Sequence, residues 1–233
     1  MHSRQEIKYM ARMAISEQRG TSIATVLVVF LIIAAGGIVG GMFSSFPFIH
    51  FLIVYGSIFF IDLPLVVNSG GIFIKIFYRT RTSVNELFSN LSVNYMRKVG
   101  GMAWMYLFTM LWMMLLFIPG IVKAYAYSMT PYILADCPNV RAKDALKLSM
   151  RMTRGHKLDL FVMNLSFIGW HILSIFTLGV LHFVFVGPYI NATTTGYYVN
   201  LRDKALATGV IHQYELYPEM QYHQQPHPQQ WMQ

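Results

Sequence analysis

Six apolar runs, separated by gaps that hold almost all of the Lys and Arg residues, constrain this chain more than any other feature. The first run, residues 22–43, contains no charged side chain. It matches the ~20 residues a helix needs to cross a bilayer. It is too long for a signal-peptide core and lacks a small-residue cleavage site, so it reads as a retained span. The second run, 51–78, is interrupted by Asp62 and Pro64, which predict a kink and an apolar core at 63–77. Runs at 101–118, 121–135, 158–176 and 180–200 follow. Pro119-Gly120 and Thr177-Leu178-Gly179 mark turns between neighbours.

Charge fixes the expected orientation. With the N-terminus in the cytoplasm, four Lys/Arg precede the first span, five lie between the second and third, six between the fourth and fifth, and two follow the sixth. That places 17 of the 18 basic residues on one side, with Lys123 left over. Basic loops stay cytoplasmic, and an odd number of spans would break the pattern. Only 12% of residues are charged, against roughly 25% in soluble domains, so lipid is the expected solvent for much of the surface. The net charge of +8 sits in the gaps between apolar runs. That suits anionic lipid headgroups and excludes nucleic acid as a partner.

The expected fold class is all-α, a polytopic membrane helical bundle of about six transmembrane helices plus two amphipathic interfacial helices. Residues 1–20 form the first amphipathic helix, with Ser3 and Glu6 at capping-box spacing. Ile7, Met10, Ala11 and Ala14 share one face; Arg4, Lys8 and Arg12 share another, directed at phosphates. Residues 21–201 form the membrane domain, with a basic cytoplasmic helix at 139–155 capped by Asp136 or Asn139. Residues 202–233 form a cytoplasmic tail rich in His, Gln and Pro, expected to be disordered. Gly36, Gly37, Gly40 and Gly41 make two overlapping small-xxx-small pairs that would let another helix approach closely.

Two sets of residues are candidates for binding. Lys143, Lys147, Arg151 and Arg154 form a charged stripe on the basic helix, suited to an anionic lipid or an acidic partner. Asp62, Lys123, Tyr127 and His171 are polar groups inside spans, where burying charge is costly. Of these, Lys123 sits near the end of its span and can snorkel. His171 and His182 are candidates for a proton-relaying or hydrogen-bonded pair. No HExxH, GxSxG or Walker loop occurs, and no span holds paired carboxylates. Cys137 is the single cysteine, and His212, His223 and His227 are too widely spaced for a metal centre. No catalytic residue, cofactor or metal is therefore expected, and the chain is read as not an enzyme.

The C-terminal 80 residues carry YSMTPYILAD (127–136), RGHK (154–157), LSFIGW (165–170), FTLG (176–179) and PYINAT (188–193). In order and spacing these motifs resemble the bacterial family of integral membrane proteins called domain of unknown function 975. Cys137, the apolar stretch before Leu63 and the His/Gln tail depart from that family's pattern. The chain is more distantly similar to the membrane domain of glycerophosphodiester phosphodiesterases, without room for their catalytic domain. The resemblance implies a multi-pass protein of the bacterial cytoplasmic membrane, from a Gram-positive organism, and implies no activity. The leading expectation is a non-enzymatic protein of the envelope that binds lipid or partner membrane proteins, a second copy of itself included. The alternative is a small-solute or ion transporter, motivated by Pro64, Pro131 and Pro188 beside Asp62, Lys123 and His171.

Overall fold

The computed structural model describes residues 3–218. These are helical, with no strand among them. Helix α1 (Arg4–Glu17) opens on the capping box: the Ser3 hydroxyl accepts from the Glu6 amide, and the Ser3 amide donates to the Glu6 carboxylate at 2.7 Å. Helix α2 (Arg19–Met42) returns through a short turn into α3 (Pro47–Ser57), a π-helical turn (Ile58–Asp62) and α4 (Leu63–Phe77). A single turn, α5 (Glu86–Ser89), precedes the long α6 (Tyr95–Leu115). Helices α7 (Phe117–Tyr127) and α8 (Thr130–Asp136) run back along it, and α9 (Ala142–Met152) is the basic helix. Helices α10 (Lys157–Leu165) and α11 (Ile168–Phe176) lead to a second π-helical turn (His182–Val186) and α12 (Gly187–Ala207). A last turn, α13 (Gln213–Leu216), follows.

Proline explains the two π-helical turns. Pro64 has no amide hydrogen, so the Phe60 carbonyl four residues earlier loses its α-helical donor. The backbone widens by one residue there, with the Leu63 amide donating to Ile58 O, and the Tyr95 hydroxyl donates to the freed Phe60 carbonyl. The chain therefore stays helical throughout Pro47–Phe77. The same device precedes Pro188, where the Gly187 amide reaches His182 O. Helices α4, α8 and α12 thus share one design: each has a proline in its first turn, at Pro64, Pro131 and Pro188.

These three helices make the centre of the molecule. Helix α4 packs on both α8 and α12, and Phe73, Ile76, Ile133, Tyr197 and Tyr198 are fully buried there. Tyr132 stacks on Tyr198 with ring centroids 5.6 Å apart. Helix α1 lays Ile7, Ala11 and Ala14 against α12 and α4. This differs from the expected interfacial helix with its basic face on phosphates. The Lys8 ammonium lies over the Phe167 ring and donates to Ser166, Arg12 lies over Tyr189, and Arg4 pairs with Asp159 at 3.3 Å. Much of the α1 basic face is therefore spent on the protein itself.

The apolar surface is left to three hairpins. Their turns expose Met42, Phe46 and Phe48; Leu115, Phe117 and Ile118; and Ile175, Phe176 and Leu178. Among the described residues, three helices are long and apolar enough to cross a membrane: Arg19–Met42, Pro47–Phe77 and Lys157–Phe176. The expected count was six. Helices α7 and α8 are separated by a turn at 128–129, and α12 is largely buried within the protein. The glycine face of α2 divides cleanly. A Cβ on Gly36 would meet Ser57 at 2.8 Å and one on Gly40 would collide with Val54, whereas Gly37 and Gly41 face open space. Gly36 and Gly40 therefore admit α3 of the same chain.

Two further expectations are corrected. Asp136 does not cap α9, whose N-cap residue is Arg141. Its carboxylate instead accepts from Tyr198 Oη and Arg202 Nη1, both at 2.7 Å, and Arg202 also donates to Tyr78 Oη. This latch ties the ends of α4, α8 and α12 together. The segment after Ala207, expected to be disordered, contributes buried Ile211 and Leu216 and positions Glu215 against Arg151. His223 and His227 lie outside the described residues.

Cys137, beside the latch, is fully buried. Burial first, and the Asp136 charge second, push its thiol up to about 12. The neutral thiol is unreactive. Iodoacetamide at pH 8 is expected to leave it unmodified in the folded protein and to alkylate it fully after denaturation, as read by intact mass. Rapid labelling of the folded protein would contradict this packing.

Candidate functional site

The local sequence of α6 places Trp104, Phe108 and Trp112 four residues apart, on one face of the helix. Trp104 and Phe108 stack with centroids 5.5 Å apart and planes 21° apart. Helix α7 packs along α6 and brings Lys123 and Tyr127 to that face. Helix α9 brings Lys143, Leu146, Lys147 and Met150 from the other side. These residues enclose a groove of about 400 Å³.

The position of α9 follows from its own pattern. Ala145, Leu146, Leu148, Ser149 and Met152 are buried, and Lys143, Lys147, Arg151 and Arg154 are exposed, as the stripe predicts. Ser149 fixes the register against the α7–α8 turn. Its hydroxyl donates to Ala126 O at 2.8 Å and accepts from the Met129 amide at 3.2 Å.

The stripe divides by partner. Arg151 is held by Glu215 and by the Val210 carbonyl. Lys147 makes an exposed pair with Asp144 at 3.3 Å. Lys143 has no acidic side chain within ion-pair distance among the described residues; its ammonium lies over Trp104, 5.0 Å from the ring centroid. Lys123 has none either, and lies 4.9 Å from the Trp112 centroid. Cation–π contacts hold an ammonium with roughly 0.5–2 kcal/mol and leave its charge uncompensated. The groove is thus an aromatic trough, with Leu146 and Met150 on its α9 wall and lysines along it. That combination suits a ligand with an apolar body and an anionic group.

The second expected set does not form one site. Lys123 and Tyr127 stand in the groove. Asp62 is buried at the end of the first π-helical turn, with Oδ1 unpartnered. His171 lies beside His182, ring centroids 5.6 Å apart, near the Thr177–Gly179 turn. Asn164 donates to Tyr125 Oη at 3.3 Å and Asn191 to Gly187 O, so both serve packing between or within helices. Among the described residues no group of three or more His, Cys, Asp or Glu could hold a metal ion.

Sequence reasoning missed Trp104 and Trp112. Their spacing with Phe108 is the signal that marks them, and Lys123 and Lys143 complete the site from outside that helix. The family model for a protein of unknown function (DUF975) matches residues 72–205, more than half of the chain and all of the groove. No curated protein and no solved structure matches the chain.

Proposed function

The chain belongs to the DUF975 family of proteins of unknown function, and from that premise we propose that it is a non-enzymatic, polytopic membrane protein that holds an anionic lipid in the α6–α7–α9 groove. The observation that carries this reading is the pair Lys123 and Lys143. Each rests on a tryptophan face without an acidic partner among the described residues, beside an apolar trough. An acyl chain would lie along Trp104, Phe108 and Trp112, and the headgroup would meet the ammonium groups.

In this reading the three hairpins supply six crossings. The exposed Phe117 and Ile118 extend the apolar surface beyond the three clearly qualifying helices, and a soluble protein would not leave patches of this kind in water. The Lys and Arg residues fall almost entirely in alternate gaps between the apolar runs, which supports one basic, cytoplasmic end carrying both described ends in a bacterial cell. Partner membrane proteins would meet the same basic end. A transport reading needs one cavity reaching Asp62, Lys123 and His171, and these occupy three separate environments.

The test is native mass spectrometry of the protein extracted in native lipid discs. Bound anionic lipid is expected to survive on the unmodified protein and to fall at least about tenfold with Lys123→Ala combined with Lys143→Ala, since each charge-assisted contact contributes roughly 1.5 kcal/mol or more. Equal retention by both forms would refute the groove as the site.

A further inference from the structure

A second cavity, of about 350 Å³, lies between α4, α5, α6 and α8. It does not share a residue with the lysine–tryptophan groove. Its floor holds Lys98, a cation only 5% exposed. The Lys98 ammonium donates to Asn68 Oδ1 at 2.7 Å and to the Asn90 carbonyl. Asn68 is fixed in turn by donating to Leu87 O. An ammonium has three hydrogens, so one donor remains, and no acidic side chain lies within ion-pair distance of it among the described residues.

Arg97 lines the same cavity. Its two terminal nitrogens donate to the Leu134, Cys137 and Val140 carbonyls at the end of α8, while its Nε–H is buried with no acceptor. The other charges facing the space are already paired. Lys75 of α4 meets Glu86 of α5 at 2.6 Å at the rim, and Asp136 of α8 belongs to Arg202. Asn94 turns its amide to Pro138 O and leaves the first turn of α6 without a side-chain cap. That adds the positive end of a 21-residue helix to the same place. A buried ammonium and a buried guanidinium N–H, both lacking an anion, are costly unless something supplies one.

We propose that this cavity is a binding site for a phosphate-like oxyanion, with the Lys98 ammonium as its hydrogen-bond donor and the Arg97 charge beside it. The phosphoryl group comes either from a soluble anion or from a lipid headgroup, and the chemistry of recognition is the same. Burial, and secondarily the Arg97 charge, already pull the Lys98 pKa down to about 8. A bound anion would raise it again and hold the ammonium charged.

The experiment titrates the full-length protein in neutral detergent with sodium phosphate, against sodium chloride at equal ionic strength, and separately with dihexanoyl phosphatidic acid. Binding is read by calorimetry and by phosphorus NMR. Saturable binding of phosphate supports a soluble anion; saturation by the short-chain phosphatidate alone supports a headgroup. Lys98→Met is expected to weaken binding at least about tenfold. Glu86→Gln, at the exposed rim, frees the Lys75 charge and is expected to tighten binding about fivefold. This second variant carries the test if Lys98→Met does not fold. Lys143→Ala is expected to leave the affinity unchanged, which separates this site from the groove. Saturation by neither probe beyond chloride, or affinity indifferent to the cavity variants that fold, would overturn the proposal.

Discussion

Arg202→Ala is expected to destabilise the protein by about 3–5 kcal/mol, the usual cost of stripping one partner from a buried ion pair. Arg202 and Asp136 side chains are only 13% and 16% exposed, and they meet at 2.7 Å. Asp136 ends α8, where the helix carbonyls already make the surroundings negative. Without the guanidinium, its carboxylate would keep only the Tyr198 hydroxyl. The same change would release Tyr78 at the end of α4. Arg4→Ala provides the contrast: its pair with Asp159 is far more exposed and should contribute no more than about 1 kcal/mol. Equilibrium unfolding in mixed detergent micelles measures both. An Arg202→Ala cost below that of Arg4→Ala would mean that the latch does not hold α4, α8 and α12 together.

Phe73→Ala is expected to cost about 3–5 kcal/mol, while Phe117→Ala changes stability by less than about 0.5 kcal/mol. The residue type is the same and the surroundings differ. Phe73 is buried where α4 meets its neighbours, so its removal leaves a cavity that packed helices cannot fill. Phe117 is exposed beside the α6–α7 turn. On the proposed reading it faces acyl chains, which close around the shortened side chain. Comparable losses at both positions, measured by the same unfolding experiment, would place the α6–α7 tip inside a protein interface instead.

Local features of this fold are visible in the sequence. The Ser3–Glu6 spacing gives the capping box that the structure contains, and the apolar core at 63–77 coincides with α4. The α9 periodicity separates its buried and exposed faces correctly. Gly36 and Gly40 do mark a close helix approach. Each of these is decided within a turn or two of helix. The latch is not visible in that way, because Asp136 and Arg202 are separated by 66 residues and nothing local distinguishes a capping Asp from a paired one. The groove divides along the same line. The Trp104–Phe108–Trp112 spacing can be read from the chain, but the hairpin and α9 decide that Lys123 and Lys143 land on those rings. Residues 211–217 look too polar to pack, yet two apolar side chains and the Arg151–Glu215 pair seat them.

The most direct test of the proposed lipid site uses the groove's own tryptophans as reporters. With Trp170 and Trp231 replaced by Phe, fluorescence comes from Trp104 and Trp112, both in the groove. The protein is reconstituted in vesicles containing either brominated phosphatidylglycerol or brominated phosphatidylcholine at the same fraction. Bound anionic lipid in the groove predicts much stronger quenching by the brominated phosphatidylglycerol, and loss of that excess with Lys123→Ala and Lys143→Ala. Equal quenching by the two lipids, unchanged by the lysine substitutions, would contradict it.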